Sequence, residues 1–384
     1  MALRGFACSS VLAHGLWLVV LAAACGGGSS SNDLPADGNP GSPGKGSSGG
    51  SADGSGSPGL SDDASLPGDD AAMSSNSDDG SSPASGHDSG DDSASPPTDG
   101  QAIGPIDGSN GSCATAFPAV SDFGAAGSFD VTIDCSAPTT VTADGTGCAV
   151  YHPTTLGRNG LKHPVIVWGN GTAAPAQCNG DAHVFGEYDY LLNQWASQGF
   201  IVVAANTNST GSGTDMLDCL NWIEQQNSVS GSPYKGMVDV DNYGVSGHSQ
   251  GGGSAINVGE DPRIRATLPF MAYTVGGGFS YDATAPTKQH GPMFLASGGM
   301  DTIATPSTNQ QPVFDAATGP VFWGTLLSAD HVTFAGGSQT DWLAPSTAWF
   351  RLFLMCDQSA RPTFYGSSCT LCTNSKWTVK TKNW

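Results

Sequence analysis

Gly247-His248-Ser249-Gln250-Gly251 sets a hydroxyl between two glycines, each two positions away. Such a serine can stand on a strained turn, because its neighbours are small enough to let flanking backbone approach closely. The preceding Tyr243-Gly244-Val245-Ser246 reads as a short strand, and a helix is expected to begin near Gly253 and to be established by Ala255. A serine between a strand and a helix N-terminus has free N–H groups and a positive dipole end beside it, suited to a developing oxyanion. The chemistry implied is nucleophilic acyl transfer, which also needs a base and a carboxylate to orient it.

Two histidines follow Ser249, His290 and His331. His290 precedes the predicted strand 293–296, in a loop with Gly and Pro. His331 follows the strand predicted over 321–327 and is the expected base. For the carboxylate, strand 293–296 runs into Ser297-Gly298-Gly299-Met300-Asp301-Thr302, which puts Asp301 at a strand's carboxyl end. The rivals are Asp330, adjacent in sequence to the histidine and poorly placed to bond its ring, and Asp315, inside a predicted helix. Serine, acid and histidine then follow the chain order of a nucleophile elbow. Two oxyanion donors are expected: the Gln250 amide and the Gly171 amide, from the loop Gly169-Asn170-Gly171-Thr172. His248, inside the elbow, is expected to point away from Ser249 and to wall the substrate pocket or support it from behind. The triplets Asn170-Gly171-Thr172 and Asn208-Ser209-Thr210 match glycosylation sequons and are discounted.

The elements that must position these residues alternate. Strands are predicted over 128–133, 148–152, 164–168, 200–205, 243–246, 265–268, 293–296 and 321–327. Helices are predicted over 187–197, 214–226, from 255 and over 346–355, the last closing the fold. Pro164-Val165-Ile166-Val167-Trp168 and Phe200-Ile201-Val202-Val203-Ala204-Ala205 are continuous apolar runs, as strands buried on both faces require. Strands alternating with helices predict an α/β fold, a mostly parallel central sheet with helices on both faces.

These residues together resemble the α/β-hydrolase superfamily, over roughly 129–353. The nearer likeness is to bacterial polyester hydrolases and cutinases, in the PET-hydrolase and chlorophyllase/dienelactone-hydrolase-like branch. Besides the elbow it rests on Gln198-Gly199-Phe200-Ile201-Val202-Val203, Asn206-Thr207-Asn208-Ser209-Thr210, Ser232-Pro233-Tyr234-Lys235-Gly236-Met237-Val238-Asp239 and Asp301-Thr302-Ile303-Ala304. The resemblance implies a cofactor-independent serine esterase with Ser249 as nucleophile, His331 as base and Asp301 as acid. It makes Tyr273, in Pro269-Phe270-Met271-Ala272-Tyr273, an aromatic flanking the scissile ester. Polyester hydrolases usually carry an aromatic where Gly171 stands and Met where Gln250 stands. The likeness therefore supports an esterase more firmly than any polymer. The alternatives are lipase or peptidase specificity, or a catalytically silent surface protein binding through the same cleft.

The chain has 384 residues and a formal charge of −21. Residues 26–112 contain no Phe, Trp, Tyr or Cys and hold 14 Asp and one Lys, −13 of that charge. Such a stretch cannot bury enough apolar surface to offset chain entropy, so a disordered Gly/Ser/Asp/Pro-rich acidic linker is expected over 25–112. Ahead of it, Arg4, the apolar run Leu16 to Leu21 and Ala22-Ala23-Ala24 read as a signal peptide over 1–24. Small residues before Cys25 resemble a bacterial lipobox, which would make Cys25 a lipidated first residue and the linker a tether of about 50 Å. Export to a cell surface or outer membrane, or secretion, is the expectation, with the catalytic domain over 113–384. Eight cysteines in that domain suit up to four disulfides in an oxidising compartment, and Cys369-x-x-Cys372 alone lacks the second pair a zinc site wants. No metal or other cofactor is expected. The absence of a basic cluster argues against nucleic acid. Membrane contact would come through Cys25 alone, the partner is an ester or polyester substrate, and a monomer is expected.

Overall fold

The computed structural model describes residues 117–172, 178–179, 182–183, 187–335 and 340–384. The predicted signal peptide 1–24, Cys25 and the linker 25–112 lie outside the described residues.

Nine strands form one sheet: β1 (Val131–Asp134), β2 (Cys148–Pro153), β3 (His163–Gly169), β4 (Ile201–Ala205), β5 (Val238–His248), β6 (Ile264–Phe270), β7 (Met293–Gly298), β8 (Val321–Leu326) and β9 (Trp377–Lys382). Their spatial order is β1-β2-β4-β3-β5-β6-β7-β8-β9. The six strands from β4 to β8 in that order pair in parallel, and the antiparallel pairs β1/β2, β2/β4 and β8/β9 finish the two sides.

The continuous apolar runs resolve into two faces. In β3, Ile166 and Trp168 join one core cluster, while Val165 and Val167 join another. In β4, Val202 and Ala204 go to the first, and Ile201, Val203 and Ala205 to the second. This is the period-2 alternation of a strand with both faces covered. Helices α1 (Asp189–Ser197) and α6 (Leu343–Leu354) cover the first face through Leu191, Trp195, Trp349 and Phe350. Helices α2 (Thr214–Gln226) and α3 (Gln250–Val258) cover the second through Met216, Leu220, Ile223 and Val258. The short α4 (Gln310–Ala316) packs Val313 with Leu295 of β7 and Trp323 of β8. One-turn α5 (His331–Ala335) follows β8.

The structure departs from the sequence reading chiefly in three places. α3 begins already at Gln250 and not near Gly253, because the elbow turn passes straight into the helix. β5 begins at Val238, well before the predicted 243–246; its outer end carries half-buried Asp239 and exposed Asp241, which break the apolar run and hide it from the sequence pattern. The chain also does not close on α6. It returns as β9, antiparallel on the outside of β8. Four of the six residues of β9 are Thr or Lys, and it buries Trp377 while most of the strand stays at the surface, so it lacks the apolar run that marks the central strands. Lys380 lies over the Trp323 ring and donates to the Gln311 side chain, and Lys382 donates to the Phe314 and Asp315 carbonyls.

Disulfides join Cys148 to Cys219, tying β2 to α2, and Cys369 to Cys372, closing the C-x-x-C turn. Cys135 and Cys356 are disulfide-bonded as well. Cys113 and the Cys178 side chain lie outside the described residues. Among the described residues no helix is long and apolar enough to cross a membrane.

Candidate active site

β5 ends at His248 and α3 begins at Gln250, so Ser249 is the single residue of the turn between them. Its φ is 59° and ψ −121°, a strained conformation for a residue with a side chain. Glycines make the turn possible. A Cβ on Gly247 would stand 2.2 Å from the Gly251 carbonyl oxygen, and one on Gly251 2.2 Å from that of Gly169. Strand β3, the turn and the first turn of α3 are therefore in backbone contact. The Ser249 amide donates to the Phe270 carbonyl at 3.1 Å, and its carbonyl accepts from Tyr273 N–H at 2.9 Å.

Three expected residues converge at this point. His331 Nε2 lies 2.9 Å from Ser249 Oγ, and His331 Nδ1 lies 2.8 Å from Asp301 Oδ2. The second Asp301 oxygen accepts the amides of Ile303 and Ala304, both at 2.8 Å. With Oδ1 occupied by backbone donors, Oδ2 is left for the imidazole. Asp301 accepts from Nδ1–H, which leaves the Nε2 lone pair facing the serine hydroxyl. All three residues are buried. The rivals are elsewhere: His290 is exposed, Asp330 Oδ1 accepts the Val332 amide, and Asp315 accepts from Gln311.

Gln250 opens α3, so its amide belongs to the first turn, where N–H groups have no acceptor within the helix. Its side chain is held by the Asn208 carbonyl. Gly171 also reaches the site: a Cβ there would lie 3.5 Å from Ser249 Cβ. Its amide is engaged, however, donating at 3.2 Å to the Tyr188 hydroxyl. Asn170 is wholly buried. Its side chain accepts from Trp168 Nε1 and donates to the Ala205 and Thr207 carbonyls, so this sequon offers no accessible amide.

His248 lies behind the triad and not in an open pocket wall. Its ring is 4.6 Å from that of His331 and 4.7 Å from that of Phe334, and Nδ1 is 2.9 Å from the Tyr188 hydroxyl. Burial, reinforced by the adjacent His331, pushes its pKa well below that of an ordinary imidazole, so it is neutral. Half-buried Tyr273 turns its ring edge-on to exposed Phe279, 5.6 Å away.

Tyr188, Phe334 and the stapling role of Asn170 were not legible as site features. Tyr188 comes from the turn before α1, some 60 residues from the elbow, and carries no local motif. The one sequence signal for it is the absence of a side chain at 171. Among the described residues no group of three or more His, Cys, Asp or Glu is placed to hold a metal ion.

A family model described as PET hydrolase-like matches residues 116–380. The chain belongs to the PET hydrolase-like family. Among curated proteins it is 24% identical over 172 residues to a bis(hydroxyethyl) terephthalate hydrolase of Streptomyces coelicolor, covering 43% of this chain and 52% of that protein. It is likewise 24% identical over 180 residues to cutinases est1 and est2 of Thermobifida alba, covering 45% of this chain and 57% and 56% of theirs. The chain spans about half the length of the curated relatives it matches. The α/β-hydrolase fold expected from the sequence is the fold of this PET hydrolase-like chain, with the mostly parallel sheet and helices on both faces described above.

Proposed function

We propose that this chain is an exported, cofactor-independent carboxylic-ester hydrolase that works through an acyl-enzyme on Ser249. The reading is carried by the chain of hydrogen bonds from Ser249 Oγ through His331 to Asp301, at 2.9 and 2.8 Å, on a strained turn at the N-terminus of α3.

The Ser249 oxygen attacks the ester carbonyl while His331 Nε2 takes its proton. Asp301 holds Nδ1–H and stabilises the imidazolium that forms. The carbonyl oxygen becomes an oxyanion beside the Gln250 amide, and a donor there contributes about 3–4 kcal/mol to lowering the barrier. Collapse expels the alcohol, which takes the proton back from Nε2. Water then adds to the acyl-enzyme by the same route, releasing acid and free serine.

Apolar residues flank the reacting groups: Val275 and Phe279 beyond Tyr273, Met300 and Ile303 around Asp301, and Val332 beside His331, all exposed. A rim of this kind suits an ester with extended apolar parts, in keeping with the terephthalate and cutin esters in the relatives' names. Tyr273 is the aromatic proposed to flank the scissile bond. Export follows from the signal peptide over 1–24. Cys25 is the proposed lipid anchor, residues 25–112 the tether, and the catalytic domain at its end acts as a monomer.

The test is hydrolysis of p-nitrophenyl acetate, butyrate and palmitate by the full chain beside Ser249→Ala, with fluorophosphonate labelling. Activity and label that both vanish in the variant support the serine esterase. A preference for palmitate would move the reading to lipase. No activity and no label in either protein would overturn it.

A further inference from the structure

The Gly171 amide already has an acceptor. Its N–H donates to the Tyr188 oxygen at 3.2 Å, which is where an oxyanion accepting from residue 171 would have to stand. Around the point that a Cβ on residue 171 would occupy lie the Tyr188 oxygen at 2.7 Å, His248 Nδ1 at 3.1 Å and Ser249 Cβ at 3.5 Å. Any side chain at 171 would collide with the phenol. Glycine is what lets the phenol come this close to the nucleophile.

The hydroxyl's own bonds complete the argument. A phenol oxygen accepts two hydrogen bonds and donates one. The Gly171 N–H is one donor to it. Neutral His248, 2.9 Å away, is the second in the tautomer protonated on Nδ1, which spares the buried, unpartnered Nε2 an orphan N–H. The phenolic proton is then uncommitted, and hydrogen bonds accepted at oxygen strengthen its donation. The Tyr188 ring is clamped by Trp168, with centroids 5.0 Å apart, and by Phe334 at 6.1 Å, so the oxygen is held in place beforehand. Burial pushes the phenol's pKa up and keeps it a neutral donor.

We propose that the Tyr188 hydroxyl, and not the Gly171 amide, is the second donor to the oxyanion, acting with the Gln250 amide. The proposal rests on the serine-esterase reading above. Gly171 and His248 then serve as positioning groups that hold the phenol and turn its proton toward Ser249.

The experiment is Tyr188→Phe in the full chain, which keeps the ring and removes one oxygen. kcat on p-nitrophenyl butyrate is measured per fluorophosphonate-labelled serine, with KM, Tm and inhibition by phenylboronic acid, whose serine adduct is a tetrahedral anion. The expected result is a fall in kcat of about 10²–10³-fold, as for loss of one oxyanion donor. KM should stay within about twofold, Tm within about 3 °C, and boronate affinity should fall in parallel with kcat. kcat within threefold of wild type would overturn the proposal, as would a loss of kcat with boronate affinity unchanged. If Tyr188→Phe does not fold, Gly171→Ala decides, since it keeps the residue 171 amide and displaces the phenol. The same parallel loss is expected there, and unchanged kcat would overturn the proposal. An inactive, unlabelled wild type fails the esterase reading and takes this proposal with it. An active wild type matched by Tyr188→Phe fails this proposal alone.

Discussion

The imidazoles of His248 and His331 lie 4.6 Å apart, centroid to centroid, with their planes tilted by 42°. Two protonated rings could not share that space. Burial and the neighbouring ring together hold His248 neutral, so in the proposed mechanism the charge that forms belongs to His331 beside Asp301. His248 is thus an uncharged ring packed against the imidazole proposed as the base.

Asp301→Asn should leave the fold intact and reduce kcat by about 10³–10⁴-fold. The Ile303 and Ala304 amides would draw the new amide's oxygen to themselves. Its NH2 would then face His331 Nδ1 and force the ring proton onto Nε2, against the serine. Steady-state kinetics with a Tm control would check this, and a loss below tenfold would contradict the role given to Asp301.

Gly251→Ala should destabilise the protein by about 3 kcal/mol, because its Cβ would meet the Gly169 carbonyl at 2.2 Å and backbone cannot yield as a side-chain tip can. Gly319→Ala is the control: it has open space around it and should be neutral within about 0.5 kcal/mol. Urea denaturation of the two variants would make the comparison.

Acid should weaken the fold through His163. This ring is wholly buried: Nδ1–H donates to the Gly199 carbonyl at 2.7 Å, and Nε2 accepts the Gly157 amide at 3.1 Å. Burial lowers its pKa in the folded state below the ordinary 6.5, more than the Gly199 bond raises it. The unfolded chain therefore binds the proton first. Stability is complete above about pH 6.5 and is lost as pH falls from there toward the folded value, at up to about 1.4 kcal/mol per pH unit. Tm should fall between pH 7.5 and 5.5, and His163→Gln should flatten that slope. An unchanged slope in the variant would reject the assignment.

Removing the Cys148–Cys219 disulfide should cost about 2–4 kcal/mol, since it closes a loop with a sequence separation of 71. The Cys369–Cys372 bridge spans a separation of 3 and should contribute less. Chemical denaturation of the two double-alanine variants would rank them.

Much of the site was readable because its constraints are local. The glycines at 247 and 251 are dictated by backbone contacts within one turn and its neighbouring strand, and Asp301 and His331 each follow a strand at the same sheet edge. The central strands were readable because burial on both faces demands continuous apolar residues. What escaped depends on tertiary packing. β9 is mostly Thr and Lys because it lies at the rim, so its pattern resembles a loop. Tyr188 reaches Gly171 only after α1 has packed on the first face of the sheet. The partners of His248, Tyr188 and Phe334, come from distant segments and leave no local signal.

The two outermost strands of the sheet both carry charged side chains. β9 carries Lys380 and Lys382, turned onto Trp323 and α4, and β1 ends in Asp134, which accepts from the Tyr234 hydroxyl, with Asp130 just before it. An open sheet rim with free backbone groups is a template for another chain, and charged side chains along it make such pairing unfavourable. Charge at both rims therefore weighs against edge-to-edge aggregation of this chain.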